Sequence, residues 1–264
     1  MLFAFPKSDM KNRQAPFLSI KKWPFPILAM WILALFFLPS PSFALTDSSH
    51  FPLYPIIREN VFFWEKIYST YSVNTAVIHD KNNLAVVYAT VSLRKSSSAN
   101  AESYNKKKIK AAKKKYADIL KKLSQGKSAR FGQMKRVKNL FPAGTSTKTF
   151  KLAAENVRVQ LGLKERFKEG VIRSGAYMAE IKTIFQTHGL PQDLAYLPHV
   201  ESSFNVKAYS KHGAAGIWQF TRSTGKQYMQ INDAIDERRD PIIAAHAAAE
   251  FLKDNYTSLQ NWPM

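Results

Sequence analysis

Leu197-Pro-His-Val-Glu-Ser-Ser-Phe-Asn-Val-Lys-Ala-Tyr-Ser-Lys-His-Gly-Ala-Ala-Gly-Ile-Trp-Gln-Phe220 is the stretch of this chain richest in chemical meaning. A carboxylate, Glu201, closes an apolar helical run beside Val200 and Phe204. Pro191 opens that run, and Leu194, Leu197 and Val200 fall on one side of it. Pro198 is expected to kink or tighten it one turn before Glu201. A partly buried carboxyl there has its pKa raised by desolvation and stays protonated, as a general acid for a glycosidic oxygen requires. A polar, turn-rich loop follows. Gly213 and Gly216 then flank two alanines, and small residues let backbone approach a ligand closely. Trp218 and Phe220 offer flat faces for sugar rings, and Gln219 can hydrogen-bond a hydroxyl or acetamido group. A solvated glutamate at a helix end is the plainer reading of the same residues.

The flanks read as helices. One candidate runs over residues 175–188, with Ser174 as its cap and Gly189-Leu-Pro191 as its stop. The last begins at Asp240-Pro241, a cap and a first-turn proline, with an apolar face of Ile243, Ala247, Phe251, Leu252 and Tyr256. Residues 142–148 form a break, after which Phe150, Ala153, Val157 and Leu161 resume a helical spacing. Further back, Ile109, Ala112, Tyr116, Ile119, Leu120 and Leu123 make an apolar stripe on a lysine-covered helix ended by Gly126. Val61, Trp64, Ile67, Tyr68 and Tyr71 are helically spaced within residues 58–71. Residues 84–91 suit a short strand or a buried helical turn, and residues 94–101 a linker. The expected fold is mainly α, divided into a targeting segment (1–44), a basic and mostly helical region (45–145) and an all-helical domain (146–264).

The chain of 264 residues is 45% apolar and contains no cysteine. That composition suits a packed core and excludes a disulfide framework, a thiolate metal site, a cysteine nucleophile and a lipidated cysteine anchor. Lys21 and Lys22 precede an apolar run from Ile27 to Leu38, and Ser42-Phe43-Ala44 fits a signal-peptidase site. An uncleaved anchor is the alternative, because residues 23–39 are apolar for 17 residues. Either way the rest of the chain is expected outside the cytoplasmic membrane, and not as a lipoprotein. Within residues 94–151, 18 Lys or Arg stand against Glu102 and Asp118, much of the chain's net charge of +20. Such a block is a solvated helical face drawn to polyanions. Behind an export signal, anionic lipid or an acidic cell-wall polymer replaces nucleic acid as the expected partner. A merely soluble surface fits as well. His188, His199, His212 and His246 lack metal-ligand spacing, so neither metal nor cofactor is expected.

Glu201-Ser202, with Ser210 nine residues on and Gly216-Ile-Trp-Gln-Phe220 beginning 15 on, resembles the signature of the lytic transglycosylases with a lysozyme-like fold. Arg166-Phe-Lys-Glu-Gly170, Leu190-Pro191, Asp236-Glu-Arg-Arg-Asp-Pro241 and Ala247-Ala-Ala-Glu-Phe-Leu252 resemble its membrane-bound murein transglycosylase D-like branch, as does the earlier stretch from Phe63-Trp64 through His79-Asp80 to Tyr88. The resemblance implies a lysozyme-like transglycosylase domain acting on peptidoglycan glycan strands, periplasmic or membrane-associated. Glu201 would protonate the oxygen linking N-acetylmuramic acid to N-acetylglucosamine. As base it would then take the proton of the muramyl C6 hydroxyl, which closes a 1,6-anhydro ring. No water attacks, so the second carboxylate of ordinary glycosidases is not needed. Ser202 would orient Glu201, Ser210 and Gln219 would bind the acetamido sugar, and Gly216, Trp218 and Phe220 would complete the substrate site. Asp236, Glu237 and Asp240 read better as helix caps and partners of Arg238 and Arg239. The family pattern continues past Trp262-Pro263 into a helix with an Ala-Tyr-Asn element lining the site. Without it this chain is expected to be weakly active and marginally stable. Two alternatives stay open: a goose-type lysozyme-like hydrolase and a non-catalytic cell-wall-binding protein.

Overall fold

The computed structural model describes residues 50–262, so the targeting segment read at 1–44 lies outside the described residues. Among the described residues no helix is long and apolar enough to cross a membrane. Helix predominates, as expected, with one small sheet.

The sheet comes first. Helix α1 (Arg58–Ser69) is followed by strands β1 (Thr75–Asp80) and β2 (Val87–Ser92). Helices α2 (Ala101–Ser124), α3 (Gly132–Lys138) and α4 (Thr147–Glu155) come next, then strand β3 (Val157–Leu161). The strand order is β2-β1-β3, with antiparallel pairing throughout. Central strand β1 is covered on both faces, which is why Ala76, Val77 and Ile78 are all buried and show no alternation. Val77 meets Phe63 and Ile67 of α1, while Ile78 packs with Tyr116, Leu120 and Leu123 of α2 and with Phe150 and Ala153 of α4. The α2 stripe thus serves as core, and α1 buries Phe63 and Ile67 rather than Trp64.

The helical reading through Leu161 is corrected here. Helix α4 stops at Glu155, and the Asn156 side chain caps it by donating to Leu152 O at 2.9 Å. Pairing with β1 then draws the next residues out straight, with Val157 opposite Asp80 and Leu161 opposite Ala76. Residues 147–161 therefore pack with the elements before them rather than with the helices after. The chain leaves the sheet at Gly162, where a Cβ would lie 2.2 Å from Tyr71 O; only glycine fits that crossing.

Beyond it lie α5 (Lys164–Ser174), α6 (Met178–Thr187), a 3-10 turn (Gln192–Tyr196), α7 (Leu197–Glu201), α8 (Arg222–Gly225) and α9 (Pro241–Leu259). Ser174 ends α5 instead of capping the next helix: its hydroxyl donates to Val171 O at 2.8 Å, and α6 begins only at Met178. Pro198 sits in the first turn of α7, so it marks the change from 3-10 to α geometry rather than a kink within one helix. Val200, placed on the apolar side by spacing, faces solvent because that junction rotates the face. Asp240 caps α9 as expected, its Oδ1 accepting from Ile242 N and Ile243 N at 2.9 Å each. The buried face of α9 keeps Ala247 of the expected one, with Phe251 and Leu252 packed against the same core. Ala244, Ala245, Ala247, Ala248 and Ala249 pack in the core with Ile181, Ile184 and Phe185 of α6, while Ile243 is exposed.

Candidate active site

Short helix α7 delivers Glu201 at its last position, and the backbone beyond turns sharply. Ser203 and Phe204 both adopt left-handed conformations, with φ of 53° and 54°, uncommon for residues with a Cβ. Their surroundings hold them there. Ser202 N and Phe204 N both donate to Pro198 O, at 3.2 and 3.1 Å, and Arg173 Nε donates to Ser203 O at 2.9 Å. Gly170 of α5 admits the Ser203 turn, since a Cβ on it would come within 3.0 Å of Ser203 Cβ. The Phe204 ring is fully buried and meets His199 edge-on at 4.6 Å. The Ser202 hydroxyl donates to Ile217 O at 2.8 Å, tying the end of α7 to the loop carrying Trp218.

Glu201 opens on a cavity of about 240 Å³ lined by Leu197, Trp218, Gln219, Phe220, Thr221, Thr224, Ala248, Phe251 and Leu252. It is the one ionisable side chain in that lining. The residue as a whole reaches solvent, yet its apolar neighbours desolvate the carboxyl and raise its pKa above the ordinary glutamate value. Burial in the first place and the Glu201 carboxylate in the second raise the pKa of the Tyr68 phenol.

The structure brings Glu201, Trp218, Gln219 and Phe220 to one cavity, but not in the form expected. Trp218 is only 9% exposed and stacks on Phe185 at 5.4 Å and 11°, and Phe220 packs on Phe251. Both rings belong to the core, so neither presents the open flat face read from the sequence. Gln219, with φ of 51°, donates through Nε2 to Gly216 O at 2.8 Å. Ser202 is a structural tie, as above. Ser210 lies outside the cavity lining; its oxygen accepts from Ala214 N at 3.0 Å and His212 N at 3.2 Å, closing its own turn. Gly216 is required by protein rather than by ligand. Its φ is 75°, and a Cβ would sit 1.7 Å from Arg238 O.

Arg238 is the residue that spacing alone did not single out for a role here. Only 2% exposed, it forks onto Asp236 at 2.8 and 2.7 Å and donates from Nη1 to Gly213 O at 2.8 Å and Phe220 O at 3.1 Å. It therefore fixes both ends of the 213–220 loop. The guanidinium hydrogen bonds hold the Asp236 carboxyl below the usual carboxylate range. The reading of Asp236 and Asp240 as an arginine partner and a helix cap agrees with this geometry. Among the described residues no cluster of three or more His, Asp or Glu side chains is placed to hold a metal ion.

A comparison with protein-family models decides what kind of domain this is: residues 179–264 match the transglycosylase SLT domain. The match covers the C-terminal third of the chain. Glu201, the 213–220 loop and Arg238 all fall inside the match. A protein of Alteromonas sp. (strain M-1) named for tributyltin chloride resistance is 38% identical over 82 residues, which are 31% of this chain and 40% of that protein. Membrane-bound lytic murein transglycosylase D of Escherichia coli (strain K12) is 34% identical over 91 residues, 34% of this chain and 20% of that enzyme. The same enzyme of E. coli O6:H1 aligns with equal identity and coverage. The chain thus spans less than half the length of each. The SLT match begins after the sheet and its helices, which lie outside it.

Proposed function

We propose that this chain is a lytic transglycosylase that cuts the β-1,4 bond between N-acetylmuramic acid and N-acetylglucosamine in peptidoglycan without consuming water. One observation carries the reading: the cavity of the SLT domain holds a single carboxyl, Glu201, whose pKa burial raises. Protonated Glu201 gives its proton to the bridging oxygen as the bond from C1 to that oxygen breaks. The carboxylate left behind accepts the proton of the muramyl C6 hydroxyl as O6 bonds to C1. The products are a free hydroxyl on the departing sugar and a 1,6-anhydromuramyl end, and Glu201 is again protonated. A glycosidase that activates water needs a second carboxylate across the bond, and no other acid lines this cavity.

Export to the periplasm or the membrane surface belongs to the same reading. It is supported by the signal-like residues 1–44 and by the solvated lysines of α2, among them Lys106, Lys110, Lys121 and Lys122, which suit an anionic surface. Mass spectrometry of muropeptides released from purified sacculi tests the chemistry. Anhydro ends, absent with Glu201→Gln, are the expected result. Reducing muramic acid ends would replace the proposal with a lysozyme-like hydrolase. Wall binding without release by either protein would leave a binding module.

A further inference from the structure

The cavity beside Glu201 is small for its proposed substrate. At about 240 Å³ it falls short of the roughly 300–1,000 Å³ of typical small-molecule sites, so a glycan strand must run out over neighbouring surface. The aromatic rings within the SLT cavity are packed into the core and leave no open face for a sugar.

An open ring exists on α1, outside the SLT match. Trp64 is 40% exposed and stacks with Tyr68, one turn on, at 5.9 Å and 30°. The buried ring of Phe63 meets Trp64 edge-on at 5.7 Å and 85°. The indole is therefore held in place while much of it stays in water, the state that loses least freedom when a ligand stacks on it. A continuous file of rings joins this pair to the site. Tyr68 rests on Phe167 of α5 at 5.3 Å, and Phe167 on His199 of α7 at 5.7 Å, two residues before Glu201. The influence of the Glu201 carboxylate on the Tyr68 phenol agrees with that direction. Neither the Trp64 position nor its neighbours carry a lysine or arginine stacked on the indole; the cation–π contacts of the described residues lie on other rings.

We propose that Trp64, backed by Tyr68, is a saccharide subsite that stacks a hexosamine ring of the glycan strand beyond the Glu201 cavity. Helix α1 thereby supplies a substrate surface outside the residues that match the SLT domain. This rests on the function proposed above, and the test separates the two. The full chain carrying Glu201→Gln is titrated calorimetrically with the hexamer of β-1,4-linked N-acetylglucosamine, with and without Trp64→Ala. Loss of one aromatic contact is expected to weaken binding about five- to tenfold, while Trp64→Phe stays within about threefold and Tyr68→Phe, which keeps the backing ring, is unchanged. In the Trp64-containing chain the indole N–H resonance absent from the Trp64→Phe spectrum should shift on titration, which gives a readout independent of how well the alanine variant folds. Equal affinity with and without Trp64, or a stationary indole resonance, overturns the subsite while anhydro-product formation by the wild type still supports the function. A wild type that neither binds the hexamer nor releases anhydro ends removes both.

Discussion

Arg238→Ala tests whether the Glu201 cavity is held together from the buried guanidinium. The substitution strands the Asp236 carboxylate and leaves Gly213 O without its 2.8 Å donor, whereas Phe220 O keeps its bond from Ala215 N at 3.0 Å. Breaking one side of a buried ion pair costs about 3–5 kcal/mol. The Asp236 side chain is 25% exposed, so water recovers part of that loss and the lower end, about 3 kcal/mol, applies. At roughly 2–4 °C per kcal/mol for a chain of this size, the melting temperature should fall by about 6–12 °C. Circular dichroism melts across pH add a second signature. Because the folded Asp236 carboxyl titrates below its unfolded value, its contribution is present above the unfolded pKa and is lost as pH falls through the folded one. Arg238→Ala should therefore flatten the acid side of the stability profile, and adding Asp236→Ala should cost little more. A variant melting within about 2 °C of wild type, with an unchanged acid limb, would refute the idea that Arg238 clamps the loop.

Two further outcomes follow from the site. Glu201→Gln should lower glycan release by roughly a factor of 10²–10⁴. In the wild type, kcat/KM should decline as pH rises through a Glu201 pKa above the ordinary glutamate value; a decline already complete at the ordinary value would contradict its burial. The sign for stability runs the other way from Asp236: a carboxyl with a raised folded pKa costs stability once pH exceeds its unfolded value, so Glu201→Gln should melt no lower than wild type at pH 7. Gly216→Ala combines left-handed strain with a collision against Arg238 O and should destabilise by about 2–5 kcal/mol in urea unfolding; a loss under about 1 kcal/mol would mean that the loop can move away.

Much of this was legible in the sequence because the signals are local. Asp240-Pro241 announces a helix start through groups within three residues, and the spacing from Glu201 to Gly216-Ile-Trp-Gln-Phe220 marks the cavity wall. The failures arise where partners are distant. Val157 and Leu161 continue the period of Phe150 and Ala153, and only the pairing of β3 with β1, some 80 residues earlier in the chain, makes them strand. Strand β1 hides because burial on both faces erases its alternation. Trp218 carries nothing in its local pattern to say whether its ring lies open in a cleft or stacks on Phe185. A buried arginine reaching two carbonyls 18 and 25 residues back is likewise invisible to any short window.

The alanine face of α9 has an entropic side. An alanine has no rotamers to lose on folding, whereas a buried leucine or isoleucine gives up about 0.5–1 kcal/mol of conformational freedom. With Ala244, Ala245, Ala247, Ala248 and Ala249 in contact, this face of the helix beneath the Glu201 cavity docks with almost no loss of side-chain disorder. Where Ala248 forms the floor of the site, its shape is thus set by backbone position, with Phe251 and Leu252 supplying the rest of the lining from the same helix.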